Sequence, residues 1–427
     1  MRVSLAIVSL TVMGVSCGSN PQETPKPPTI TSQPSDAAVP ACGSATFTVA
    51  AEGSSPLSYQ WMREGVPIAG AVGSDYEVAP ALPEDTGSSY SVVVSNTAGS
   101  VTSRVATLDV AELVPPPPGP SVLVAERADS IVIASNYVIW ASSGVVDRTS
   151  ALCPGIVVER LFENPYVAPS GLMEYEGVVY WFDAEPGHGA IMRQPVDGTP
   201  PQQVALTAFE VGGLAAAGEA LLWTDTYNAT IQSVRIGGGE VTTIPVEMTG
   251  GSAPAAITAD EGYIYWADWV REQQQYVVRR MAKDGTIATI ATAQGQISSI
   301  ATDGTDVFWV STVGAPPDSH SVLRKTSRDG PGEVVELGNL PSSVGCAIAL
   351  DASSAYWSSC SIVTPEGVLG SSAVSVAPKD GSQPSSVLVD EDAGFPVALY
   401  LTDAFVYWAE VSSGSAGRNA IMRMGKR

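Results

Sequence analysis

Basic residues and histidine are scarce in this chain. Its 427 residues include 21 Lys or Arg and two His against 44 Asp or Glu, so the formal net charge is −23. A surface this acidic repels phosphate-rich polymers and anionic lipid headgroups, which argues against nucleic acid and anionic membrane surfaces as partners. The charge supports solubility and carries no information about the fold.

The common motifs of catalysis and metal binding are also missing. The sequence has no His-x-His, Cys-x-x-Cys, Gly-x-Ser-x-Gly or phosphate-loop pattern. The two histidines, His188 and His320, stand far apart in the chain, so solvated loop residues are a better interpretation than a joint metal or acid–base site. We therefore predict no cofactor and no metal.

Long apolar runs are absent except near the start of the chain. Arg2 is followed by an apolar run over Val3–Val15, which is too short to span a bilayer and indicates a signal peptide. The segment Gly14-Val15-Ser16-Cys17 then resembles a bacterial lipobox, although Gly14 replaces the usual aliphatic residue. The resemblance implies lipidation of Cys17 and a cell-envelope location, as an outer-membrane or surface lipoprotein. Plain secretion is the alternative, and residues 18–28 are interpreted as a Pro-rich tether.

One short phrase, an aromatic or aliphatic residue followed by Trp, recurs seven times. An apolar stretch precedes each Trp, and a strand-like segment such as Ala190–Arg193 follows it, commonly with an Asp-Gly turn behind. This order predicts a four-stranded antiparallel blade. The repeated residues, 41 to 51 positions apart, are Trp140, Trp181, Trp223, Trp266, Trp309, Trp357 and Trp408. Such a period in β-rich repeats predicts an all-β protein with a seven-bladed β-propeller over residues 121–427.

The Trp strands resemble those of YWTD propellers, the family named after the low-density-lipoprotein receptor. Leu222-Trp223-Thr224-Asp225 carries the likeness best, and the repeats around Trp181 and Trp266 also keep the Asp. The receptor domains have six blades and this chain has seven repeats, so receptor-like ligand binding is not carried over. We expect Asp183, Asp225 and Asp268 to cap turns and not to form a cation site.

The last repeat ends after its Arg strand and lacks an outer strand. The segment Ser121–Val124 matches the outer strand of the sixth repeat, Ser386–Val389. We therefore expect residues 121–126 to pair with the strand near Ala420–Met424 and to tie the two ends of the ring together.

Residues 29–112 resemble an immunoglobulin-like sandwich. Trp61 stands at the position of that family's core Trp, and Tyr90 stands at the position of its tyrosine corner. Val49 and Val92 occupy the places of the paired cysteines, which implies packing in place of a bridge. The strand-like runs, which alternate at period two, are Ala45–Ala50, Ser58–Met62 and Ser89–Ser95. A stiff Pro-rich linker, residues 113–120, follows this unit.

Four cysteines remain besides Cys17. An antiparallel hairpin centred on Ala352–Ser354 places Cys346 opposite Cys360, within the range that a disulfide accepts. We predict this bridge, whereas Cys42 and Cys153 receive no partner.

The connections after the Trp strands have variable lengths, with long stretches at 141–155, 358–372 and 409–419. They emerge on the ring face opposite the Asp-Gly turns, and variable exposed loops often carry binding residues. We predict that a ligand with neutral or cationic groups docks there. The residues assigned to this face are Trp269, Asp268, Glu185, His188, His320 and Glu410.

No set of ionisable residues converges on one site in the sequence. We therefore predict an exported, lipid-anchored surface protein that acts as a non-enzymatic binding or scaffold module for a protein or glycan ligand. It is expected to be a monomer that meets the membrane only through its lipid and binds no nucleic acid. Two alternatives stay open: a propeller enzyme of lyase or glycosidase type, and a purely structural envelope protein.

Overall fold

The computed structural model describes residues 24–427 except for 112–118, 152–157, 186–187, 198, 208–210, 245, 247–251, 317, 365–366, 370–371, 392–393, 413–418 and 427. The chain divides into two compact units, with the boundary in the sequence between Leu113 and Val114. Within the described residues no helix is long and apolar enough to cross a bilayer. The predicted signal peptide, Cys17, Cys153 and most of the Pro-rich linker lie outside the described residues.

Unit 1, which ends at Leu113, is built from short strands around one apolar core. One sheet has the order β2-β10-β8-β5-β6 with β9 on β8, while β3 pairs with β7 and β1 with β4. A 3-10 turn, Pro83–Asp85, precedes β8. The strands are β1 (Thr29–Ser32), β2 (Ala37–Val39), β3 (Ala45–Thr48), β4 (Ala50–Glu52), β5 (Ser58–Arg63), β6 (Val66–Pro67), β7 (Asp75–Val78), β8 (Ser89–Asn96), β9 (Gly99–Thr102) and β10 (Ala106–Val110).

The core of unit 1 forms where the sequence predicts it. Trp61 and Tyr90 are almost fully buried, and both pack near Phe47. Val49 and Val92 lie in the same core, so packing occupies the two positions at which the resemblance expects cysteines. Cys42 is disulfide-bonded.

The described residues of unit 2, which begins at Val114, form seven antiparallel sheets, which we number 1 to 7. Sheets 1 to 3 contain β12 (Ser130–Ala134), β13 (Tyr137–Ser142), β14 (Val145–Ser150) and β15 (Glu159–Glu163); β16 (Ala168–Tyr175), β17 (Val178–Glu185), β18 (His188–Pro195) and β19 (Gln202–Thr207); and β20 (Val211–Ala217), β21 (Ala220–Asp225), β22 (Thr230–Arg235) and β23 (Thr242–Ile244).

Sheets 4 to 7 follow the same order of strands. They contain β24 (Ser252–Ala259), β25 (Tyr263–Val270), β26 (Gln275–Ala282) and β27 (Ile287–Ala293); β28 (Gln296–Thr302), β29 (Asp306–Val313), β30 (His320–Ser327) and β31 (Val335–Pro341); β32 (Ser343–Leu350), β33 (Ser354–Thr364), β34 (Gly367–Leu369), β35 (Ser372–Pro378) and β36 (Ser386–Glu391); and β37 (Gly394–Leu401), β38 (Phe405–Ser412), β39 (Ala420–Gly425) and, from the start of the unit, β11 (Ser121–Val124).

The seven repeated Trp residues hold neighbouring sheets together. Each lies in the second strand of its sheet and is at most 1% exposed. Trp140 of sheet 1, for example, packs in one cluster with Leu123 and Tyr407 of sheet 7. The first strands of successive sheets also contact one another in a closed circle, from β12 through β16, β20, β24, β28 and β32 to β37 and back. Unit 2 therefore has a propeller-like arrangement.

The predicted closure of the ring is confirmed by the strand pairing. β11 pairs antiparallel with β39, with Ser121 opposite Arg423 and Val122 opposite Met422. The first strand of the unit in sequence is thus the outer strand of its last sheet.

Two features of the connections differ from the prediction. The described parts of 141–155 and 358–372 contain strands where long loops were predicted. Only Ser143 and Gly144 separate β13 from β14, and β33 continues to Thr364. The Asp-Gly pairs sit inside turns of more than two residues, where the carboxylates of Asp284 and Asp380 accept hydrogen bonds from backbone N–H groups two positions on. The predicted loop 409–419 falls partly outside the described residues.

Cys346 and Cys360 are joined by a disulfide, with their Cα atoms 6.3 Å apart. The strand register differs from the predicted one, because Cys360 lies opposite Val344 and not opposite Cys346. A bulge between Gly345 and Ile348 shifts the pairing, and Cys346 lies within it. A bulge adds a residue to one strand and re-aims its side chains, so the two sulfurs still meet.

Candidate binding face

One end of unit 2 gathers two kinds of connection. In an antiparallel four-stranded sheet, the hairpin between the second and third strands leaves at the same end as the crossover to the next sheet. We call this end the upper face; it includes residues 143–144, 164–167, 226–229, 271–274, 314–316 and 318–319. The turns with Asp-Gly leave at the other end, the lower face.

The hairpins of the upper face differ in how far their strands extend beyond the repeated Trp. β21 ends at Asp225, shortly after Trp223, whereas β33 continues well past Trp357 to Thr364. The variation that the sequence shows after each Trp is therefore a variation in strand length more than in loop length.

Tyr227 is displayed at the upper face by a rigid turn. Asp225 is 4% exposed, and its carboxylate accepts hydrogen bonds from the backbone N–H of Asn228 at 2.9 Å and from its side-chain amide at 2.8 Å. Ala229 then takes the left-handed conformation at a φ of 55° and returns the chain to β22. Because the turn is fixed from below, the ring of Tyr227 stays 78% exposed.

Tyr166 is displayed by the crossover from sheet 1 to sheet 2. Asn164 donates its backbone N–H to the carbonyl oxygen of Gly144 at 2.8 Å, and its side-chain oxygen accepts the N–H of Tyr166 at 3.1 Å. Gly144 has a φ of 88°, and a Cβ there would lie 2.8 Å from the carbonyl oxygen of Asn164. The crossover is thus seated on the first hairpin, and the Tyr166 side chain is 82% exposed.

Trp269 lies in β25 and not in a loop, which corrects the prediction. It is half-buried and stands directly opposite Tyr276 of β26, with the two ring centroids 4.8 Å apart. Burial raises the pKa of the Tyr276 hydroxyl. The two rings form an aromatic pair on the hairpin of sheet 4, beneath the turn 271–274.

Two of the three carboxylates assigned to this face, those of Asp268 and Glu410, are buried within the sheets. Asp268 is 2% exposed and pairs with Arg279 across the β25–β26 hairpin at 2.8 Å. Glu410 is 1% exposed and packs against the backbone of Gly394. The expected turn cap is present at Asp225, whereas Asp268 forms an ion pair between strands; neither Asp268 nor Glu410 is presented to solvent.

The remaining candidates lie at strand ends of the upper face. His320 begins β30, half-buried and opposite Val313. Glu185 ends β17 opposite His188 at the start of β18, and their side chains are outside the description. The six predicted residues thus share one face but belong to sheets 2, 4, 5 and 7, and the structure does not bring them together in a single site. Among the described residues no group of three or more His, Cys, Asp or Glu could hold a metal ion.

Tyr166 and Tyr227 were not predicted from the sequence. The signal was present, because each Tyr stands inside a polar turn sequence, Asn164-Pro165-Tyr166 and Asp225-Thr226-Tyr227-Asn228. An aromatic residue between turn-forming residues has no apolar strand to join and remains exposed.

The architecture is that of an all-β protein with a propeller-like second unit. No protein-family model matches this chain, and a comparison with curated proteins finds no match. Among solved structures it is similar to a nidogen–laminin complex chain, with 17% identity, 60% of this chain and 92% of that chain covered, and a TM-score of 0.43. A quinonprotein alcohol dehydrogenase-like protein from Bacteroides thetaiotaomicron is similar at 11% identity, with coverages of 74% and 98% and a TM-score of 0.38. The titin M3 domain matches 20% of this chain over 99% of its own length at 26% identity, with a TM-score of 0.18.

Proposed function

We propose that this protein is an exported, lipid-anchored surface protein whose seven-bladed β-propeller binds a ligand through the upper face, with an immunoglobulin-like unit preceding it. The seven sheets, the circle of first strands and the pairing of β11 with β39 support the propeller. The apolar core around Trp61, which joins the larger sheet of unit 1 to the β3–β7 pair, supports the immunoglobulin-like unit. The lipobox-like segment at Cys17 supports the anchor.

The exposure of Tyr166 and Tyr227 on one face carries the binding role. They are the most exposed large apolar side chains in the described part of the chain, at 82% and 78%. Both are held by hydrogen-bonded turns. Tyr side chains supply a large contact area at a low cost in conformational entropy, and they are enriched at binding sites. Rigid turns that keep two such rings in water are expected where a partner covers them.

A ligand with neutral or cationic groups fits this face best, as a surface of either a protein or a glycan. The chain carries 44 acidic against 21 basic residues, so an anionic ligand would approach against repulsion. The buried positions of Asp268 and Glu410 favour a non-enzymatic role, because a catalytic carboxylate has to reach the substrate.

The test is a screen of the full chain against peptides and neutral or amino-bearing glycans, followed by substitution. Tyr227→Ala is expected to weaken binding of any ligand found by about tenfold or more, as loss of an aromatic anchor does. The matched control is Leu206→Ala, because Leu206 is 60% exposed on the outer strand β19. Unchanged binding in Tyr227→Ala and Tyr166→Ala, with a loss in Leu206→Ala, would place the ligand elsewhere.

A further inference from the structure

An arginine joins neighbouring sheets of unit 2 at a repeated position. It lies on the third strand, opposite the residue that precedes the repeated Trp, and its Nη1 donates to a carbonyl oxygen of the next sheet. The acceptor in each case is the residue that follows the third strand of that sheet. The pairs found among the described residues are Arg148 with Val196, Arg193 with Ile236, Arg280 with Arg328, and Arg423 with Ala151.

An aromatic ring at the start of the second strand supports three of these arginines. The distances from the guanidinium carbon to the ring centroid are 4.3 Å for Arg148 and Tyr137, 4.6 Å for Arg280 and Tyr263, and 5.2 Å for Arg423 and Phe405. These distances are within the range of cation–π attraction. The interface is therefore filled by an alkyl stem and a guanidinium that lies over an aromatic ring.

Sheet 3 lacks both parts of this arrangement. Ser233 lies at the arginine position, opposite Leu222, and Ala220 stands at the position of the aromatic ring. A cavity of about 660 Å³ opens here, lined by residues of sheets 3 and 4. Its walls include the apolar side chains of Leu222, Ile264 and Met281, so the missing groups are replaced by empty space and not by another side chain.

The hydrogen-bond acceptor is still present in this cavity. Lys283 follows the third strand of sheet 4, as Val196 and Ile236 follow those of sheets 2 and 3, and it lines the cavity. No residue of the described chain donates a hydrogen bond to its carbonyl oxygen. Ser233 also lines the cavity, and its hydroxyl can accept a hydrogen bond.

At the interface of sheets 6 and 7, Lys426 lies beside the emptied arginine position. It follows the third strand of sheet 7, as Lys283 follows that of sheet 4. Val376 stands at the arginine position there, and the cavity beside it is about 220 Å³. The ammonium of Lys426 lies 5.4 Å from the ring centroid of Tyr356 and 2.8 Å from Asp351. In sheet 3 the ring is replaced by Leu222, and the short turn at Gly218 offers no Asp.

We propose that the cavity between sheets 3 and 4 binds the alkylguanidinium group of an arginine side chain presented by a partner polypeptide. The guanidinium donates to the carbonyl oxygen of Lys283 and to the hydroxyl of Ser233, while the alkyl stem packs on Leu222 and Met281. Glu261 lines the same cavity and favours a cation, whereas Asp260, which also lines it, is already paired with Arg328 at 3.3 Å. Lys283 opposes a cation through its own charge.

The position of the cavity favours an arginine within a polypeptide over free arginine. The cavity lies at the lower face, and its lining includes the exposed residues Gly218, Thr243 and Glu261. The carboxylate of free arginine would be held near Glu261 and Asp260 and be repelled. An arginine residue within a peptide has no such charge. This site is independent of the upper face and of the ligand proposed for it.

Methionine methyl NMR of the full chain tests the proposal, because Met281 lines the cavity. The probe is arginine blocked as N-acetyl-arginine-N′-methylamide, and Met281→Leu assigns the signal. The Met281 methyl is expected to shift and saturate with a Kd on the order of 1 mM, a value suited to one side chain. Met422, buried at the interface of sheets 6 and 7, is the internal control and should not move.

Two variants make the test specific. Ser233→Arg introduces the arginine found at four other interfaces and should abolish the shift, whereas Ser233→Ala keeps the cavity and should retain it with weaker affinity. The unchanged Met422 signal shows that each variant is folded. Lys283→Gln removes the like charge and should tighten binding.

The source of the guanidinium is separated by three further titrations. Gly-Gly-Arg-Gly-Gly should bind at least as tightly as blocked arginine, and free arginine and blocked norleucine should bind at least tenfold more weakly. No shift of Met281 with blocked arginine, an equal shift with blocked norleucine, or an undiminished shift in Ser233→Arg would each overturn the site. Tighter binding of free arginine than of the peptide would overturn the polypeptide partner.

Discussion

Arg423 in the last strand of unit 2 donates a hydrogen bond to the carbonyl oxygen of Ala151, 272 residues earlier, over 3.0 Å. This bond crosses from sheet 7 to sheet 1 and repeats, at the point where the ring closes, the contact that Arg148 makes with sheet 2. The closure is therefore built from the same interaction that links sheet 1 to sheet 2, sheet 2 to sheet 3 and sheet 4 to sheet 5, with β11 added as an outer strand.

The closing strand β11 is expected to stabilise the whole ring. Leu123 is 5% exposed in the cluster around Trp140, whereas its neighbour Val122 is 42% exposed. Leu123→Ala should lower the free energy of unfolding by about 2–4 kcal/mol through lost burial and cavity formation. Val122→Ala, the control, should cost less than about 1 kcal/mol.

Deletion of residues 121–126 should broaden the unfolding transition, because sheet 7 loses its outer strand. The deletion also removes the strand pairing that joins the start of unit 2 to its end. Urea denaturation monitored by Trp fluorescence measures both effects. An unchanged midpoint and slope after the deletion would contradict the closure.

The Cys346–Cys360 disulfide is expected to be present in protein purified under oxidising conditions. Peptide mapping without reduction should recover the two cysteine peptides as one linked species. Closing a loop of this length should contribute about 3 kcal/mol of stability, which the paired Cys346→Ser and Cys360→Ser variant removes. Recovery of both residues as free thiols would exclude the bridge.

The close approach of Gly338 to Trp357 gives a packing test of the interface between sheets 5 and 6. A Cβ built on Gly338 would overlap the indole ring of Trp357, and this ring is fully buried. Gly338→Ala should therefore destabilise the protein by about 1–3 kcal/mol, as overpacking does. Gly425→Ala is the matched strand control, since a Cβ there meets nothing within 4 Å. Equal melting temperatures for the two variants would refute the contact.

Acid should weaken the lower face through Asp351. Burial opposes ionisation of this carboxyl, but hydrogen bonds from Lys426 and from the backbone N–H groups of Ser353 and Ser354 outweigh it and lower the pKa of Asp351. Asp303, which pairs with Lys379 at 2.7 Å, likewise has a lowered pKa.

The direction of the pH dependence follows from these lowered pKa values. A carboxyl whose folded-state pKa lies below its unfolded value, about 3.9, stabilises the fold fully above that value. This contribution is lost as the pH falls through the folded-state pKa. Asp351→Asn should therefore lower stability at pH 7 and reduce the loss of stability between about pH 5 and pH 2. Asp403→Asn, at an exposed position in the first turn of sheet 7, is the control variant and should change the unfolding free energy at pH 7 by less than about 0.5 kcal/mol.

The sequence predicted the core of unit 2 better than its edges. The seven Trp positions were identifiable because each repeat must bury the same face against its neighbour, so the pattern recurs along the chain. Trp269 was predicted to lie in a loop. The strand continues beyond Trp266 because it pairs with Tyr276 and its neighbours in β26. The alternation of apolar and polar residues within one strand does not show with which residues of another strand it pairs.

Contacts between sheets were also beyond the sequence argument. A repeated Arg was visible in Ala190–Arg193 and Ala420–Arg423. Its acceptor is a backbone carbonyl one sheet further on, and a carbonyl carries no residue signature. Ser233 can therefore be recognised as a missing arginine only when the four arginine–carbonyl pairs are known from the structure. The bulge that moves Cys346 out of register is equally a property of the paired strands.

The pairing of β11 with β39 is expected to form late in folding. Ser121 Oγ donates to the carbonyl oxygen of Arg423 over a separation of 302 residues, so this contact is highly non-local. Loops of this size close slowly, although each doubling of length costs only about 0.6 kcal/mol. Sheets 1 to 6 pair neighbouring strands and can form while β11 waits with Leu123 and Val124 uncovered. An uncovered apolar strand edge can associate with other chains. We therefore expect the refolding yield to fall as the protein concentration rises, because molecules can aggregate before β11 docks. The docking of β11 would then determine the fraction of molecules that reach the native state.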